Sequence, residues 1–387
     1  MPWKIMGAMD QKIQLIADWQ SQYFNVTDLS QKYGISRNTV YKWLNRYQKF
    51  GIDGLQEQSR APLYSPNQTN DDIVKLIVAE KLKNRNRGPK KIFSRLKTSY
   101  PHIDVPAPST IGEWLKKYGL VKKRKRRLQV PPYTEPFYAC QTPNAVWSAD
   151  YKGQFYTRNG RVCYPLTISD NYSRYLLKCH GLPGPRYNET KAVFEAAFKE
   201  YGLPDAIRID NGTPFASRGA GGLSRLSIWW IQLGIIPERI DKGCPQQNGR
   251  HERMHRTLKE ETLHPVGRNM KEQQERFDWF RFDYNNCRPH EALGQQTPDS
   301  HYRKSTRLYV EKPAIPEYNF NYVVRHVRSS GDIKFHGQSY FLTELLSGQP
   351  IGLKETADGQ WTIFYSFQPI GTLDLRKNKV IKYGQKC

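Results

Sequence analysis

Apolar residues recur at helical spacing in the first part of the chain. The third of three helical segments there has the inner positions Val40, Trp43, Leu44 and Tyr47. A short helix capped by Thr27, a turn at Gly34 and a longer helix beginning at Ser36 are typical of a helix-turn-helix. We predict such a domain over residues 1–60. The alternative is a small helical bundle without a DNA role.

The helical spacing continues after a polar linker. Three further helices are predicted over Asp71–Lys83, Pro89–Tyr100 and Ser109–Tyr118, the last with Ser109 as its N-cap. The extended stretch between the second and third of them forms either a small wing or a connecting loop. The pattern predicts a second helix-turn-helix, or winged-helix-like, domain over residues 66–120. A helical spacer is the alternative.

The pattern changes over residues 137–300, where short β-like runs alternate with helices. Three strands are predicted first, over 145–156, 162–168 and 175–180. Helices and strands then alternate, among them the strand Ala206–Ile209 and a helix that begins near Gly249. This order predicts an α/β domain with a mixed sheet and helices on both faces.

Beyond residue 305 the pattern is again rich in β-like runs. Five short runs are separated by turn signals, at 322–327, 332–342, 351–355, 361–367 and 370–375. Five short strands fit a small β-barrel, predicted here over residues 305–387. The predicted fold class is therefore multidomain, with all-α units, a central mixed α/β domain and a small barrel.

The charge of the chain indicates a polyanionic partner. The 387 residues include 60 Lys and Arg against 36 Asp and Glu, a formal net charge of +24. Residues 1–130 hold 25 of these basic residues and 10 of the acidic ones, so the excess is concentrated in the helical units. A nucleic-acid backbone is the commonest such partner, and a membrane surface is the rival. Because no apolar run reaches 18 residues, we expect a soluble protein without a membrane partner.

Candidate DNA contacts follow from the outward positions of the predicted recognition helices. In the first unit they are Arg37, Asn38, Thr39, Lys42 and Arg46, residue types that reach base edges and phosphates. In the second unit they are Thr110, Lys116 and Lys117. The basic linker predicted over residues 121–136 contains a run of six cations that begins with Lys122, Lys123 and Arg124. That run is either a solvated linker or a segment that contacts successive phosphates of the DNA backbone.

One helix of the central domain has a mixed acidic and basic face. Glu252, Arg256 and Lys259 are spaced i, i+4 and i+7, so they share one side of the helix. A carboxylate with two cations beyond it suits a site that handles metal and phosphate together. The alternative is an exposed face held by an i,i+4 ion pair.

Two further carboxylates have unusual positions. Asp150 lies inside an apolar strand, where a carboxylate needs a partner or a metal. Asp210 follows a strand at its carboxyl end, where open α/β sheets bind ligands, although its motif is also an ordinary turn signal. Together with Glu252 they suit phosphodiester transfer, in which two divalent ions assist the attacking and the leaving oxygen. The competing carboxylates are Asp170, Asp241 and Glu260.

The three acidic residues are Asp150, Asp210 in the sequence Ile-Asp-Asn-Gly, and Glu252 in Asn-Gly-Arg-His-Glu-Arg, with Lys259 seven residues after Glu252. This set resembles that of the DDE transposases of bacterial insertion sequences. Their core is similar to that of retroviral integrases and has a ribonuclease-H-like fold; the resemblance covers residues 138–297. It implies that the three acids are catalytic and bind two Mg²⁺ ions, with Mn²⁺ able to substitute. It also implies that Lys259 contacts DNA, and Arg256 beside it is a further candidate. One difference is that 41 residues separate Asp210 from Glu252, more than is usual in the family, with 216–224 as the extra loop.

The resemblance implies the function of a transposase. We expect the protein to bind the terminal inverted repeats of a mobile element, to cut the 3′ ends and to transfer them to target DNA. The expected partners are double-stranded DNA and further copies of the chain, in a dimer or tetramer, in the bacterial cytoplasm at the nucleoid. Two alternatives stay open: a domesticated sequence-specific DNA-binding regulator, and a metal-dependent nuclease without strand transfer.

Overall fold

The computed structural model describes residues 7–57, 68–121, 138–217, 220–241, 247 and 249–383. The chain separates into two compact units, residues 1–68 and 69–387. The finer domain boundaries given above stay predictions. None of the described helices combines the length and the apolar content that crossing a bilayer requires.

The first unit is a domain of three helices. These are α1 (Ala8–Gln20), α2 (Val26–Tyr33) and α3 (Arg37–Phe50), followed by a 3-10 turn over Gly51–Leu55. Gly34 ends α2 with φ 63°, a left-handed conformation that glycine adopts without strain. Side chains from all three helices meet in one core, which contains Leu15, Ile16, Leu29, Val40, Trp43, Leu44 and Leu55. This is the helical arrangement that the sequence predicts.

The start of α2 differs from the prediction. Asn25, and not Thr27, is the N-cap, because its side chain accepts hydrogen bonds from the backbone N–H groups of Thr27 and Asp28 at 2.8 and 2.9 Å. The Asp28 carboxylate in turn accepts from the Asn25 N–H at 3.0 Å. This reciprocal capping box satisfies donors that the first helical turn leaves free, so the helix begins two residues earlier than predicted.

The second helical group comprises α4 (Asp71–Lys83), α5 (Pro89–Ser99) and α6 (Pro108–Lys117). The predicted Ser109 cap is wrong, since α6 begins at Pro108 and Ala107 occupies the capping position. Proline presets the helical φ and needs no hydrogen-bond acceptor at the first position, which makes it a natural helix start. The residues between α5 and α6 are all described and contain no strand, so the winged-helix alternative has no wing there.

The central part of the chain folds around a mixed sheet. Its strands are β1 (Val146–Tyr151), β2 (Phe155–Tyr156), β3 (Val162–Asp170), β4 (Leu176–Leu182), β5 (Ala206–Ile209) and β6 (Ile236–Arg239). The order is β4-β3-β1-β5-β6, with the short β2 beside the first residues of β3. Strands β1, β3 and β4 pair antiparallel, whereas β5 pairs parallel with β1 and β6 pairs parallel with β5.

Helices cover both faces of this sheet, as predicted. On one face lie α7 (Tyr187–Tyr201) and α8 (Arg225–Gln232), which share a core with Trp147, Leu166, Ile168 and Ile207. On the other face lie α9 (Gly249–Thr262) and α10 (Met270–Phe282), which share a core with Cys163, Leu176 and Cys179. Successive side chains of a strand point to opposite faces, and β3 and β4 accordingly contribute residues to both cores.

The C-terminal region contains seven described strands rather than the five predicted. They are β7 (Val323–His326), β8 (Asp332–Phe335), β9 (Gln338–Phe341), β10 (Pro350–Ala357), β11 (Gln360–Tyr365), β12 (Gln368–Asp374) and β13 (Lys379–Lys382). The single strand predicted over 332–342 is a hairpin. Its two-residue turn consists of His336 and Gly337, both with positive φ, 45° and 81°.

The predicted closure of a barrel is not confirmed. Among the described residues, β13-β12-β11-β10-β7 form an open antiparallel sheet, and β8 and β9 pair only with each other. The apolar residues of the sheet and the hairpin share one core with Leu223, Ile228 and Ile231 of the central part. Because the hairpin and a neighbouring helix help to cover the apolar face of the sheet, its burial does not require a closed ladder.

Candidate active site

Strands β1 and β5 bring Asp150 and Asp210 to one edge of the central sheet. The two strands are parallel neighbours with Ala149 opposite Ile209, and the next residue on each is an aspartate. Both aspartates are half-buried. The Asp210 carboxylate accepts a hydrogen bond from the Gly212 N–H at 3.0 Å. Open α/β sheets bind ligands at the carboxyl ends of parallel strands, so this edge is the expected position for a site.

Three carboxyl groups interact electrostatically at this edge. Burial, then the negative charge of Asp210 and, less strongly, that of Glu252, raise the pKa of Asp150 to about 7. The Tyr151 N–H and the Lys152 charge oppose this shift. A bound cation would favour the ionised carboxylate and lower this pKa. However, no three His, Cys, Asp or Glu side chains of the described residues are close enough together to hold a metal ion.

Helix α9 leaves its predicted mixed face exposed. Glu252, Arg256 and Lys259 are all exposed, whereas the opposite side of the helix buries His251, Met254, His255, Leu258 and Thr262. Within the described part of the chain, Glu252 forms no ion pair with Arg256. The helix therefore does not form the i,i+4 pair that would give this face a purely structural explanation.

Two histidines on the buried side of α9, not among the predicted site residues, bond to β3. Thr167 Oγ1 lies 2.7 Å from His251 Nε2 and 2.6 Å from His255 Nε2. Ser169 Oγ lies 3.1 Å from His251 Nδ1, and His255 Nδ1 lies 3.5 Å from Asp150 Oδ2. Burial lowers the pKa of His251 to about 3 and holds the pKa of His255 well below its ordinary value. The sequence signal for this pair is two histidines at i and i+4 on an otherwise apolar helix face.

The competing carboxylates have other surroundings. Asp170 is buried and accepts hydrogen bonds from the Ser173 N–H and hydroxyl at 2.7 and 2.6 Å. Asp241 accepts a hydrogen bond from the Gln247 side chain at 2.9 Å. Glu260 is exposed on α9. The charges with the largest effects on the pKa of Asp150 are instead those of Asp210, Lys152 and Glu252.

The predicted DNA contacts of the first unit differ in exposure. The exposed ones on α3 are Arg37, Asn38 and Lys42. Thr39 and Arg46 are half-buried. The Thr39 hydroxyl lies 2.8 Å from the Ser36 hydroxyl at the helix start, and the Arg46 guanidinium lies 5.2 Å from the centroid of the Trp43 ring. Lys42 is exposed but also has a contact within the unit, since its ammonium lies 4.7 Å from the centroid of the Trp43 ring.

On α6 of the second helical group, Lys116 and Lys117 are exposed and Thr110 is half-buried. The Lys117 ammonium lies 4.7 Å from the centroid of the Trp114 ring, a cation–π distance. The linker cations Lys122, Lys123 and Arg124 lie outside the described residues.

The protein-family models that match this chain lie along it in the order of the domains described above. Two integrase core domain models match residues 141–245 and 233–298. A helix-turn-helix domain model matches residues 11–62, and a homeodomain-like domain model matches residues 39–115. The model of the IS481 family transposase C-terminal domain matches residues 322–381.

Similar proteins include products of bacterial insertion elements. An uncharacterized 31.7 kDa protein of insertion element IS407 from Burkholderia multivorans is 26% identical over 254 residues, covering 64% of this chain and 87% of that protein. An uncharacterized 39.2 kDa protein of insertion element IS476 from Xanthomonas euvesicatoria is 27% identical over 243 residues, covering 60% of this chain and 65% of that protein. A Gag-Pol polyprotein of baboon endogenous virus is 30% identical over 118 residues, 30% of this chain but 6% of the polyprotein.

Retroviral integrases are among the similar solved structures, at low TM-scores. The catalytic core of HTLV-2 integrase in complex with magnesium covers 43% of this chain and 100% of its own, with 14% identity and a TM-score of 0.33. A chain of a simian T-cell lymphotropic virus intasome covers 80% of this chain and 96% of its own, with 14% identity and a TM-score of 0.37. Likeness at this level adds nothing to the family assignment.

The domain models and the insertion-element proteins together define the class. The chain is an insertion-sequence transposase with N-terminal helix-turn-helix domains and an integrase core domain. Within that class, its C-terminal region matches the IS481 family transposases. Such a core is that of a polynucleotidyl transferase.

Proposed function

We propose that this chain binds the terminal inverted repeats of a mobile element, cuts the 3′ ends and joins them to target DNA. The observation that carries the proposal is the position of Asp150 and Asp210, side by side at the carboxyl ends of the parallel strands β1 and β5. The charges of Asp210 and Glu252 both raise the pKa of Asp150. Carboxyl groups that meet in a partly buried place repel one another unless protons or cations offset their charge. The two aspartates at the ends of β1 and β5 therefore support a site that works with bound cations.

The chemistry of these donors fits magnesium. Carboxylate oxygens are the hard ligands that Mg²⁺ prefers, and a few suffice because the ion keeps several waters. Asp150, Asp210 and Glu252 would hold two such ions, with Mn²⁺ able to substitute, in agreement with the metal dependence of the integrase core family. When bound, the ions would activate the attacking oxygen and stabilise the leaving oxygen. Glu252 is exposed, so its side chain is free to turn towards the two aspartates.

The proposed reaction has two phosphodiester steps. In the first, water attacks the phosphorus at an element end; a bond to the water oxygen forms and the bond to the 3′ oxygen breaks, which leaves a 3′-hydroxyl on the element. In the second, that hydroxyl attacks a phosphodiester of the target, so one P–O bond forms as another breaks. Neither ATP nor a covalent enzyme intermediate is needed.

The basic and polar residues supply the DNA contacts in this proposal. The terminal repeats are read by Arg37, Asn38, Thr39, Lys42, Arg46, Thr110, Lys116 and Lys117. The DNA phosphates are contacted by Lys122, Lys123 and Arg124. The reacting end of the element DNA is bound by Arg256 and Lys259. Because two element ends must meet one target, we expect the active form to be a dimer or tetramer on DNA. The insertion-element relatives support a bacterial cytoplasm as the place of action.

A strand-transfer assay tests the proposal. The full-length protein is mixed with labelled terminal-repeat DNA, a target plasmid and Mg²⁺, and cut and joined products are separated on gels. Asp150→Asn and Glu252→Gln should each reduce both steps to background while repeat binding, measured on filters, stays unchanged. Glu260→Gln changes an exposed carboxylate of the same helix, so it is the matched control and should keep full activity.

Each other outcome identifies a different function. Activity that survives Asp150→Asn or Glu252→Gln would refute the roles given to these residues. Cut ends without joined products would indicate a nuclease. Repeat binding with a steep salt dependence, but no cleavage in Mg²⁺ or Mn²⁺, would indicate a DNA-binding regulator.

A further inference from the structure

Four cations that have no part in the function proposed above lie along one side of α9, where the second helical group meets the central sheet. They are Lys91 from α5, Arg174 from the turn between β3 and β4, and Arg250 and Arg253 from the start of α9. The two arginines of α9 are exposed, and the other two side chains are half-buried. This set of four residues is named the basic strip.

The basic strip occupies a different side of α9 from the one that carries Glu252 and Lys259. At about 100° per residue, Arg253 lies about 100° and Arg250 about 160° around the helix axis from Glu252, whereas Lys259 lies within about 20° of it. Arg250 precedes Glu252 by only two residues. One end of the strip therefore lies beside the proposed catalytic carboxylates, although it points away from them.

A hydrogen bond and charge interactions join α9 to the turn between β3 and β4. The Arg250 guanidinium donates to the Asn171 carbonyl oxygen at 3.2 Å, and Arg174 lies three residues further along the same turn. Burial and then the charge of Arg250, with a weaker effect of Arg253, lower the pKa of Arg174 to about 10. These three arginines thus form one positively charged surface.

The other end of the strip reaches α5. The ammonium of Lys90 lies 2.8 Å from Glu291 Oε1 and lowers the pKa of that carboxyl group. The charges of Lys91 and Arg253 act on the same carboxyl group in the same direction. Because one carboxylate is within reach of both α5 and α9, the strip is continuous between the two helices.

The carboxylates of this region are already paired with cations outside the strip. The pairs are Lys90 with Glu291, Arg288 with Glu261 and Arg87 with Asp283, at 2.6 to 2.8 Å. Within the described part of the chain, no member of the strip forms an ion pair. Burial and the charges of Arg288 and Arg87 lower the pKa of Lys91 to about 8. Half-buried like charges without a counter-charge repel one another, so this surface attracts an anion.

The backbone at Arg174 supports a role for its side chain. Its φ is 65°, in the left-handed region that an arginine adopts only with strain and that glycine adopts freely. Among the described residues, the Arg174 guanidinium has no hydrogen-bond acceptor that would offset this strain. Strained residues of this kind concentrate at positions that bind ligands. The turn alone therefore does not explain an arginine at this position.

We propose that the basic strip is a second contact surface for the phosphate backbone of duplex DNA, and that it guides the DNA from α5 to the carboxylates at the ends of β1 and β5. The match of residues 39–115, which include Lys91, to a homeodomain-like domain favours DNA over an acidic protein as the polyanion. The contact with DNA stands by itself, whereas the guiding role rests on the proposed function.

The length of the strip fits this partner. Arg250 and Glu261, whose charge also acts on the pKa of Lys91, are the near and far ends of this side of α9. At 1.5 Å per residue they are about 16 Å apart along the helix axis. A duplex presents about one phosphate charge per 1.7 Å of its axis, which gives about ten over this distance. Each of the four cations can therefore reach a phosphate of its own.

Salt-dependent binding tests the contact without any cleavage. The full-length protein is titrated against a labelled duplex of unrelated sequence, without Mg²⁺, between 50 and 200 mM KCl. Lys91→Gln, Arg174→Gln, Arg250→Gln and Arg253→Gln should each lower the slope of log affinity against log salt by about 1. The advantage of the parent over each variant should shrink about 3.5-fold over this range.

Two further variants separate a lost charge from a structural effect. Arg253→Lys keeps the charge and should restore the parent slope. Lys271→Gln removes an exposed cation at the start of α10 that forms no ion pair in the described part of the chain, and it should keep the parent slope. Slopes in the four strip variants equal to that of Lys271→Gln would overturn the proposal.

Hydrogen exchange identifies the partner. The duplex should slow exchange in peptides from α5 and from the turn that contains Arg174, and less so in the Arg253→Gln variant. Polyglutamate at the same charge concentration should have a much smaller effect. Protection by polyglutamate as strong as that by DNA would indicate a site for an acidic protein and would overturn the assignment to DNA.

The guiding role is tested with terminal-repeat DNA and Mg²⁺. Loss of two phosphate contacts in the double variant Arg174→Gln, Arg253→Gln should raise the DNA concentration for half-maximal cleavage about fivefold, with the rate at saturating DNA unchanged. An unchanged DNA requirement would overturn the guiding role while the proposed function stands. If the parent cleaves no DNA, the proposed function and the guiding role fail together, and the salt slopes still decide whether the strip contacts DNA.

Discussion

Two ion pairs that differ sharply in burial connect the second helical group to the central domain, and Arg87 forms the buried one. Its side chain is 1% exposed and lies 2.6 Å from Glu80 Oε1 of α4 and 2.7 Å from Asp283 Oδ1, the residue after α10. Asp283 is itself 14% exposed. A second pair joins the same regions, Lys90 to Glu291 at 2.8 Å, but its side chains are 67% and 72% exposed. The two pairs allow the effect of burial to be measured at one interface.

The burial predicts very different costs for breaking each pair. Removing one partner of a buried ion pair costs about 3–5 kcal/mol, because the other charge stays buried. Glu80 still neutralises Arg87 in an Asp283→Ala variant, so we expect a cost below or at the bottom of that range, about 2–3 kcal/mol. Lys90→Ala should cost no more than about 1 kcal/mol, since exposed pairs are solvated and screened. A free-energy change of about 1.4 kcal/mol corresponds to a factor of ten. Local opening should therefore become about 30- to 140-fold more frequent in Asp283→Ala, and at most about fivefold more frequent in Lys90→Ala.

Hydrogen exchange on the full-length chain measures this opening. Peptides from α5 and from the residues around Asp283 should exchange faster in Asp283→Ala by the larger factor, and in Lys90→Ala by the smaller one. Peptides from α1 to α3 belong to the other compact unit and serve as the internal control. Equal effects of the two substitutions, or an effect of Asp283→Ala below about fivefold, would refute the argument that burial determines the strength of this contact.

Three further predictions concern a helix cap, a turn and a DNA contact. Asn25→Ala should lower the free energy of unfolding of the first unit by about 1 kcal/mol, and Thr27→Ala clearly less; denaturant unfolding that gives the reverse order would contradict the capping assignment. Gly331 and Gly348 both have positive φ, 83° and 75°. A Cβ added to Gly331 would lie 2.7 Å from the backbone nitrogen of Glu344, whereas a Cβ added to Gly348 would have no atom within 4 Å. Gly348→Ala should therefore cost about 1–2 kcal/mol and Gly331→Ala distinctly more, as calorimetry of the full chain can test. Lys42→Ala should reduce the slope of log affinity for repeat DNA against log salt by about 1, and an unchanged slope would remove Lys42 from the phosphate contacts.

Much of the fold could be predicted because local pattern decides it. Strand β5 spans Ala206–Ile209 and helix α4 spans Asp71–Lys83, both as predicted, since their apolar residues form runs or faces that only one type of element buries. The failures lie where a single contact or dihedral angle decides. The cap at Asn25 depends on a hydrogen bond that competes with an equally plausible one, and the turn at His336 depends on a non-glycine residue with positive φ.

The sequence by itself determined which residues could serve the site, and the tertiary structure decided how they meet. Helical periodicity alone put Glu252, Arg256 and Lys259 on one face, and α9 does expose all three. That Asp150 neighbours Asp210 follows only from the parallel register of β1 and β5. The contacts of His251 and His255 with Thr167 join positions 84 and 88 residues apart. No local pattern encodes such contacts, because they arise from the packing of a helix on a sheet, and that packing also sets the burial that shifts the pKa of Asp150.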